Sequence, residues 1–90
     1  MDYSTILRFL LSTVEILVDS PNDIQIRKEE TEEKVLYIIS PKAEEVGQLV
    51  GEKGCIANSL RTILRSISQK YGLKKLYLVV VEPKEFIEKV

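Results

Sequence analysis

From Ser4 to Val18 the apolar residues recur at helical spacing. Ile6, Leu7, Leu10, Leu11, Val14, Leu17 and Val18 form one wide stripe, with Arg8, Ser12 and Glu15 off it. Asp2 or Ser4 supplies a cap, and Asp19-Ser20-Pro21-Asn22 ends the helix with turn chemistry. The period then drops to two. Between Asp23 and Glu29, Ile24 and Ile26 alternate with Gln25 and Arg27, the pattern of a half-buried strand. A charged link, Glu30-Thr31-Glu32-Glu33, leads into a second strand from Lys34 to Ser40, whose uninterrupted Val35-Leu36-Tyr37-Ile38-Ile39 run predicts a central, covered position. So short a link makes the two strands an antiparallel hairpin. The acidic link itself reads as a solvated loop with no chemistry of its own.

A helix is expected from Pro41 to Val50, with Ala43, Val46, Leu49 and Val50 apolar, Ser40 as N-cap and Pro41 at the first helical position. Glu44 and Glu45 fall in its first turns, the favourable end for negative charge. Gly47 inside this helix costs about 1 kcal/mol relative to Ala, which suggests a neighbour packed closely against it. Gly51-Glu52-Lys53-Gly54 then interrupts the pattern, and a longer helix runs from about Cys55 to Tyr71 on Ile56, Leu60, Ile63, Leu64 and Ile67. Gly72 stops it, and Lys74-Lys75 lead into a last strand, Leu76 to Val81. The expected fold is α+β, order α-β-β-α-α-β, with helices packed on one face of a small three-stranded mixed sheet. Residues 1–82 form one domain and 83–90 a short amphipathic tail, in which Phe86 and Ile87 are candidates for a partner contact.

Composition fits a single small core: 90 residues, 44% hydrophobic and 30% charged. One cysteine excludes an intrachain disulfide and fits a reducing compartment. No basic segment precedes the first apolar run, which Arg8 and Glu15 interrupt, so neither a signal peptide nor a membrane span is expected, and the location read is cytoplasmic. The net charge of −1 conceals an uneven distribution. Residues 1–41 carry four basic and eight acidic side chains, residues 42–75 seven and three, and residues 76–90 two and three. The positive charge therefore gathers around the glycine turn.

Enzyme templates fail. The chain has no histidine, so no Ser-His or Cys-His pair, and Cys55 alone makes no zinc site. The turn lacks the longer Gly-x-x-x-x-Gly-Lys-Ser/Thr pattern of nucleotide-hydrolysing loops. A non-catalytic binding protein with no metal and no cofactor remains. The glycine turn suits such a role, because Gly51 and Gly54 allow a sharp corner and close backbone approach. N–H groups at the start of the following helix favour an anion, read here as a nucleic-acid phosphate.

The stretch from Val46 to Arg61 resembles the glycine-loop segment of KH domains, and more narrowly that of small single-domain bacterial KH proteins of the KhpA type. Val46, Gly47, Gly51, Gly54, Ile56, Ala57, Leu60 and Arg61 match that pattern outright, and Leu49 and Val50 match in kind. The element order agrees with the type II KH arrangement over essentially the whole chain. The resemblance implies single-stranded RNA as partner, the Gly-x-x-Gly loop clamping the sugar–phosphate backbone of about four nucleotides. The residues it points to are Gly51, Glu52, Lys53, Gly54, Cys55, Ile56, Asn58, Arg61 and Arg65. Lys53 supplies a point charge, backbone N–H groups near Cys55 and Ile56 face the phosphate, and Asn58, Arg61 and Arg65 share one helix face leading away. Bases are then expected in an apolar groove between the second helix, near Val46, Leu49 and Val50, and the second strand. Tyr37, Tyr71 and Tyr77 are read as packing residues, and Lys70, Lys74 and Lys75 as serving solubility or the helix C-terminus.

The resemblance further implies an RNA chaperone or post-transcriptional regulator, pairing with itself or with a larger KH-containing RNA-binding protein. Two departures from the family pattern stand beside the phosphate path: Glu52, where a basic residue is common, and Cys55, where arginine is common. They imply weak binding at physiological salt. The alternative they leave is a KH-fold protein-interaction module that has weakened or lost RNA binding.

Overall fold

The structure, a computed structural model, describes residues 2–88. Helix α1 (Tyr3–Leu17) is followed by strands β1 (Gln25–Glu30) and β2 (Lys34–Ser40), helices α2 (Val46–Val50) and α3 (Cys55–Tyr71), strand β3 (Lys75–Val80) and helix α4 (Pro83–Glu88). The sheet order is β1-β2-β3, antiparallel between β1 and β2 and parallel between β2 and β3. The expected α+β architecture and strand pairing are therefore present. The parallel pairing needs a crossover, which α2, the glycine turn and α3 supply.

One core joins the helices to the sheet. Ile6, Leu10 and Val14 fall four residues apart on α1, and Leu60 and Leu64 do the same on α3; they meet Val35, Tyr37 and Ile39 of β2 with Leu76 and Leu78 of β3. Each such side chain contributes roughly 1.5–3 kcal/mol through removal from water. Asp2 caps α1, its carboxylate accepting from the Ser4 N–H at 3.1 Å and the Ser4 hydroxyl at 2.8 Å. Gly72, left-handed at φ 62°, stops α3, and the Leu73 N–H returns to the Ser68 carbonyl at 2.9 Å.

Three local expectations fail. The helix expected from Pro41 begins later: Lys42 is extended (φ −54°, ψ 142°), Ala43–Glu45 form a single 3₁₀ turn, and α2 holds only Val46–Val50. Ser40 caps nothing, because it remains in β2 opposite Gln25. Glu45 is buried, and its carboxylate accepts from the Ser20 N–H at 2.8 Å and the Ser20 hydroxyl at 2.7 Å, which fixes the α1–β1 connection against α2. Gly47 has no close neighbour: a Cβ built there meets nothing within 4 Å.

The tail forms α4, which lies against β2 and reaches β1. Arg27 places its guanidinium 4.4 Å from the centroid of the Phe86 ring and donates from Nη1 to the Phe86 carbonyl at 2.8 Å. Arg27 stands opposite Ile38, so both lie on the sheet face turned away from Tyr37 and Ile39, and α4 covers part of that outer face. Ile87 is exposed. Residues 89 and 90 of the expected tail lie outside the described residues.

Burial pushes the Tyr37 phenol up to about 12. Its folded value is raised, so its contribution is complete below the ordinary value of 10.0 and is lost as the pH climbs towards about 12. Urea denaturation at neutral and at alkaline pH should show wild type losing more stability on going alkaline than Tyr37→Phe.

Candidate nucleic-acid interface

The interface starts at the corner between α2 and α3. The Gly51 N–H closes α2 on the Gly47 carbonyl at 2.9 Å, and the chain then enters a 3₁₀ turn, Glu52–Gly54. Three of the four residues from Gly51 to Gly54 have positive φ: Gly51 at 80°, Lys53 at 55° and Gly54 at 77°. A Cβ at Gly51 would sit 2.7 Å from Ile56 Cγ1 and 2.9 Å from the Ile56 nitrogen, so position 51 excludes a side chain on space as well as on φ. Gly54 is less constrained, its Cβ meeting only Asn58 Nδ2 at 3.3 Å. Lys53 holds a left-handed conformation that costs a non-glycine residue on the order of 1–2 kcal/mol. Its side chain is exposed, as is that of Glu52.

Some donors assigned to the phosphate are already used. The Gly54 N–H donates to the Gly51 carbonyl at 3.1 Å, and the Cys55 N–H donates to the Glu52 carbonyl. The N–H groups of Glu52 and Lys53 meet no acceptor among the described residues and are the free donors of the turn. Ile56 is half-buried and packs against the core beneath Gly51.

From the turn, Asn58, Arg61 and Arg65 run along the exposed side of α3. Arg61 is held in place: its Nε donates to the Leu78 carbonyl at 3.1 Å and its Nη1 to Asn58 Oδ1 at 2.9 Å. That carbonyl is available because β3 is an edge strand. Between α3 and β3 lies a groove of about 500 Å³ lined by Arg61, Arg65, Ser68, Gln69 and Lys75–Leu78. Three of these residues are cations and none is an acid.

This groove lies apart from the α2–β2 position expected from the sequence, where Leu49 is 1% exposed and packed in the core. Ser68, Gln69, Lys75 and Tyr77 were not among the expected site residues. The missed signal was the final strand's position at a sheet edge, beside a helix whose Arg61 and Arg65 lie four apart. Tyr37 is a packing residue, whereas Tyr77 is 44% exposed and lines the groove. Lys74 and Lys75 have different fates: Lys75 faces the groove, while Lys74 donates to Glu30 Oε2 at 2.7 Å and to the Thr31 carbonyl at 2.8 Å.

The two glycines that flank the corner should respond oppositely to alanine. Gly51→Ala should lower stability by about 1–3 kcal/mol through strain and the contact with Ile56. Gly47→Ala, in open helical space, should raise it by up to about 1 kcal/mol. Urea denaturation of the two variants checks both signs.

Known proteins are similar to this chain over most of its length. The family described as KhpA/KhpB, KH domain matches residues 8–80. The protein named RNA-binding protein KhpA of Listeria monocytogenes is 37% identical over 73 residues, 81% of this chain and 95% of that one. Its namesake in Oceanobacillus iheyensis is 39% identical over 70 residues, 78% and 92% of the two chains. That of Streptococcus pneumoniae is 31% identical over 78 residues, 87% and 96%. No solved structure gives a significant match. These relatives are named for binding rather than for a reaction, and the family is a non-catalytic one. On its matched span, its fold and its glycine turn, the chain belongs to the KhpA/KhpB family of KH domains.

Proposed function

We propose that the protein binds single-stranded RNA, with the backbone seated on the Gly51–Gly54 turn and the following nucleotides laid in the groove between α3 and β3. The observation that carries this reading is the groove lining: Arg61, Arg65 and Lys75 converge on it without an opposing carboxylate, in a chain whose net charge is −1. The relatives are named RNA-binding proteins, which supports the same assignment.

Each part has a separate task. The turn offers the Glu52 and Lys53 N–H groups and the Lys53 ammonium to a phosphate. Arg61 and Arg65 meet the next phosphates or stack on bases, and Arg61 is already oriented by Asn58 and Leu78. The open edge of β3 presents main-chain donors and acceptors to base edges. Apart from Tyr77 the groove has no aromatic platform, so contacts to the backbone dominate and sequence preference is low. Glu52 stands exposed in the turn and opposes an incoming phosphate, which keeps binding weak and dependent on salt.

In the cell such binding serves RNA chaperoning or post-transcriptional regulation in the cytoplasm, and no helix of the described residues is long and apolar enough to cross a membrane. Pairing with a second copy, or with a larger KH-containing protein, would set two weak sites on one RNA at high effective concentration.

Fluorescence anisotropy with a short mixed-sequence RNA across a salt series tests the reading. Binding at low salt should weaken as salt rises. Replacing Arg61, Arg65 and Lys75 together by Gln should reduce the logarithmic slope by up to about 2, at about 0.7 per lost phosphate contact. Glu52→Lys should strengthen binding. No binding by wild type at low salt would favour a protein-interaction module that keeps the fold without the RNA.

A further inference from the structure

The open edge of β3 is not uniform along the groove. The Val81 N–H donates to the Ile39 carbonyl at 2.9 Å, so the main-chain groups of Val81 face β2. Main-chain groups alternate along a strand, which turns Val79 and Tyr77 the same way and leaves the N–H and carbonyl of Leu76, Leu78 and Val80 facing outward. The contact of Arg61 Nε with the Leu78 carbonyl at 3.1 Å places that carbonyl on the outer edge independently. Leu76 and Leu78 both line the groove, so two donor–acceptor pairs reach its wall.

Arg61 makes the two pairs different. No side chain among the described residues donates to the Leu76 carbonyl, whereas the Leu78 carbonyl is occupied by the guanidinium. Arg61 Nη1 is turned to Asn58 Oδ1 at 2.9 Å, so the guanidinium is anchored at two points, and its Nη2 meets no acceptor among the described residues. No carboxylate pairs with Arg61 among those residues either. The position level with Leu78 therefore presents two donors, the Leu78 N–H and Arg61 Nη2. Its one main-chain acceptor is covered by a cation.

We propose that Arg61 sets a base preference at this position, selecting guanine over adenine. The inference rests on the RNA-binding reading above and deepens it by naming a base. Guanine presents two adjacent acceptors, O6 and N7, which suit a pair of donors; adenine keeps N7 but carries an amine in place of O6. That amine finds no open acceptor at Leu78 and is set against the guanidinium. At Leu76 the carbonyl and the N–H both face the groove, and either purine is accommodated. The preference is thus confined to one nucleotide, and the rest of the binding stays with the RNA backbone. Arg65 makes no hydrogen bond to the β3 main chain among the described residues and serves the phosphates.

The test is fluorescence anisotropy at low salt with oligouridines of about six nucleotides carrying one central guanosine or one central adenosine, which have equal charge. Wild type should bind the guanosine RNA about three- to ten-fold more tightly. Inosine, which keeps O6 and N7, should bind within about two-fold of guanosine, and 7-deazaguanosine, which lacks N7, should lose most of the preference. Arg61→Met frees the carbonyl and should bring the guanosine and adenosine RNAs within about two-fold of each other, whereas Arg65→Met should weaken both and keep their ratio. Equal binding of the two RNAs by wild type, or a preference that survives Arg61→Met, would overturn the proposal. The series of base analogues uses wild type alone, so it decides the matter even where Arg61→Met does not fold. If wild type binds neither RNA at low salt, the RNA-binding reading itself fails, an outcome distinct from a missing base preference.

Discussion

The space beneath Gly51 is the constraint on which the interface depends. Ile56 Cγ1 would lie 2.7 Å from any Cβ at that position, so the chain turns from α2 into α3 directly over the first apolar residue of α3. The contact does two things at once. It seats Ile56 against the core and so fixes the start of α3. It also accompanies a tight turn in which Lys53 is left-handed and the Glu52 and Lys53 N–H groups meet no acceptor among the described residues. Once α3 starts there, its exposed face runs beside β3, and Arg61 reaches the Leu78 carbonyl across the edge of the sheet. The tight turn and the placing of the arginine face beside β3 thus follow from one close packing.

Much of this was legible in the chain. The period of α1 and α3, the alternation of β1, the uninterrupted apolar run of β2 and the stop at Gly72 each follow from local spacing, and the element order follows from them. The glycine turn was legible as a turn because two helical patterns cannot continue through it. What local spacing cannot carry is which elements meet. Glu45 looks like an ordinary first-turn acid until the Ser20 N–H and hydroxyl are found against it. Ser40 and Pro41 look like a helix start, yet the sheet keeps Ser40 and delays the helix to Val46. Val46, Leu49 and Val50 looked like a groove wall because their stripe is apolar, but Leu49 is spent on the core. The actual groove needed the parallel pairing of β2 with β3, which puts β3 at an edge, and no run of residues encodes that by itself.

Charge follows the same logic. The lysine pair at positions 74 and 75 reads as one basic step in the sequence, yet the fold divides it: Lys74 neutralises Glu30, and Lys75 faces the groove. The acidic hairpin is divided in the same way, Glu29 and Glu30 being paired while Glu32 and Glu33 have no ion-pair partner among the described residues. A near-neutral protein thereby presents a groove lined by Arg61, Arg65 and Lys75 and by no acid.

The most direct test of RNA binding at this groove is a two-dimensional amide NMR titration of the whole chain with single-stranded RNA at low salt. The largest shifts should fall on Glu52 and Lys53 in the turn, on Arg61–Gln69 of α3 and on Leu76–Leu78 of β3. The exposed side of α1 around Phe9 and Ile16 should be unaffected. Shifts confined to α1 or to the outer sheet face under α4, or no shifts at all, would contradict the assignment of the glycine turn and its groove as the RNA site.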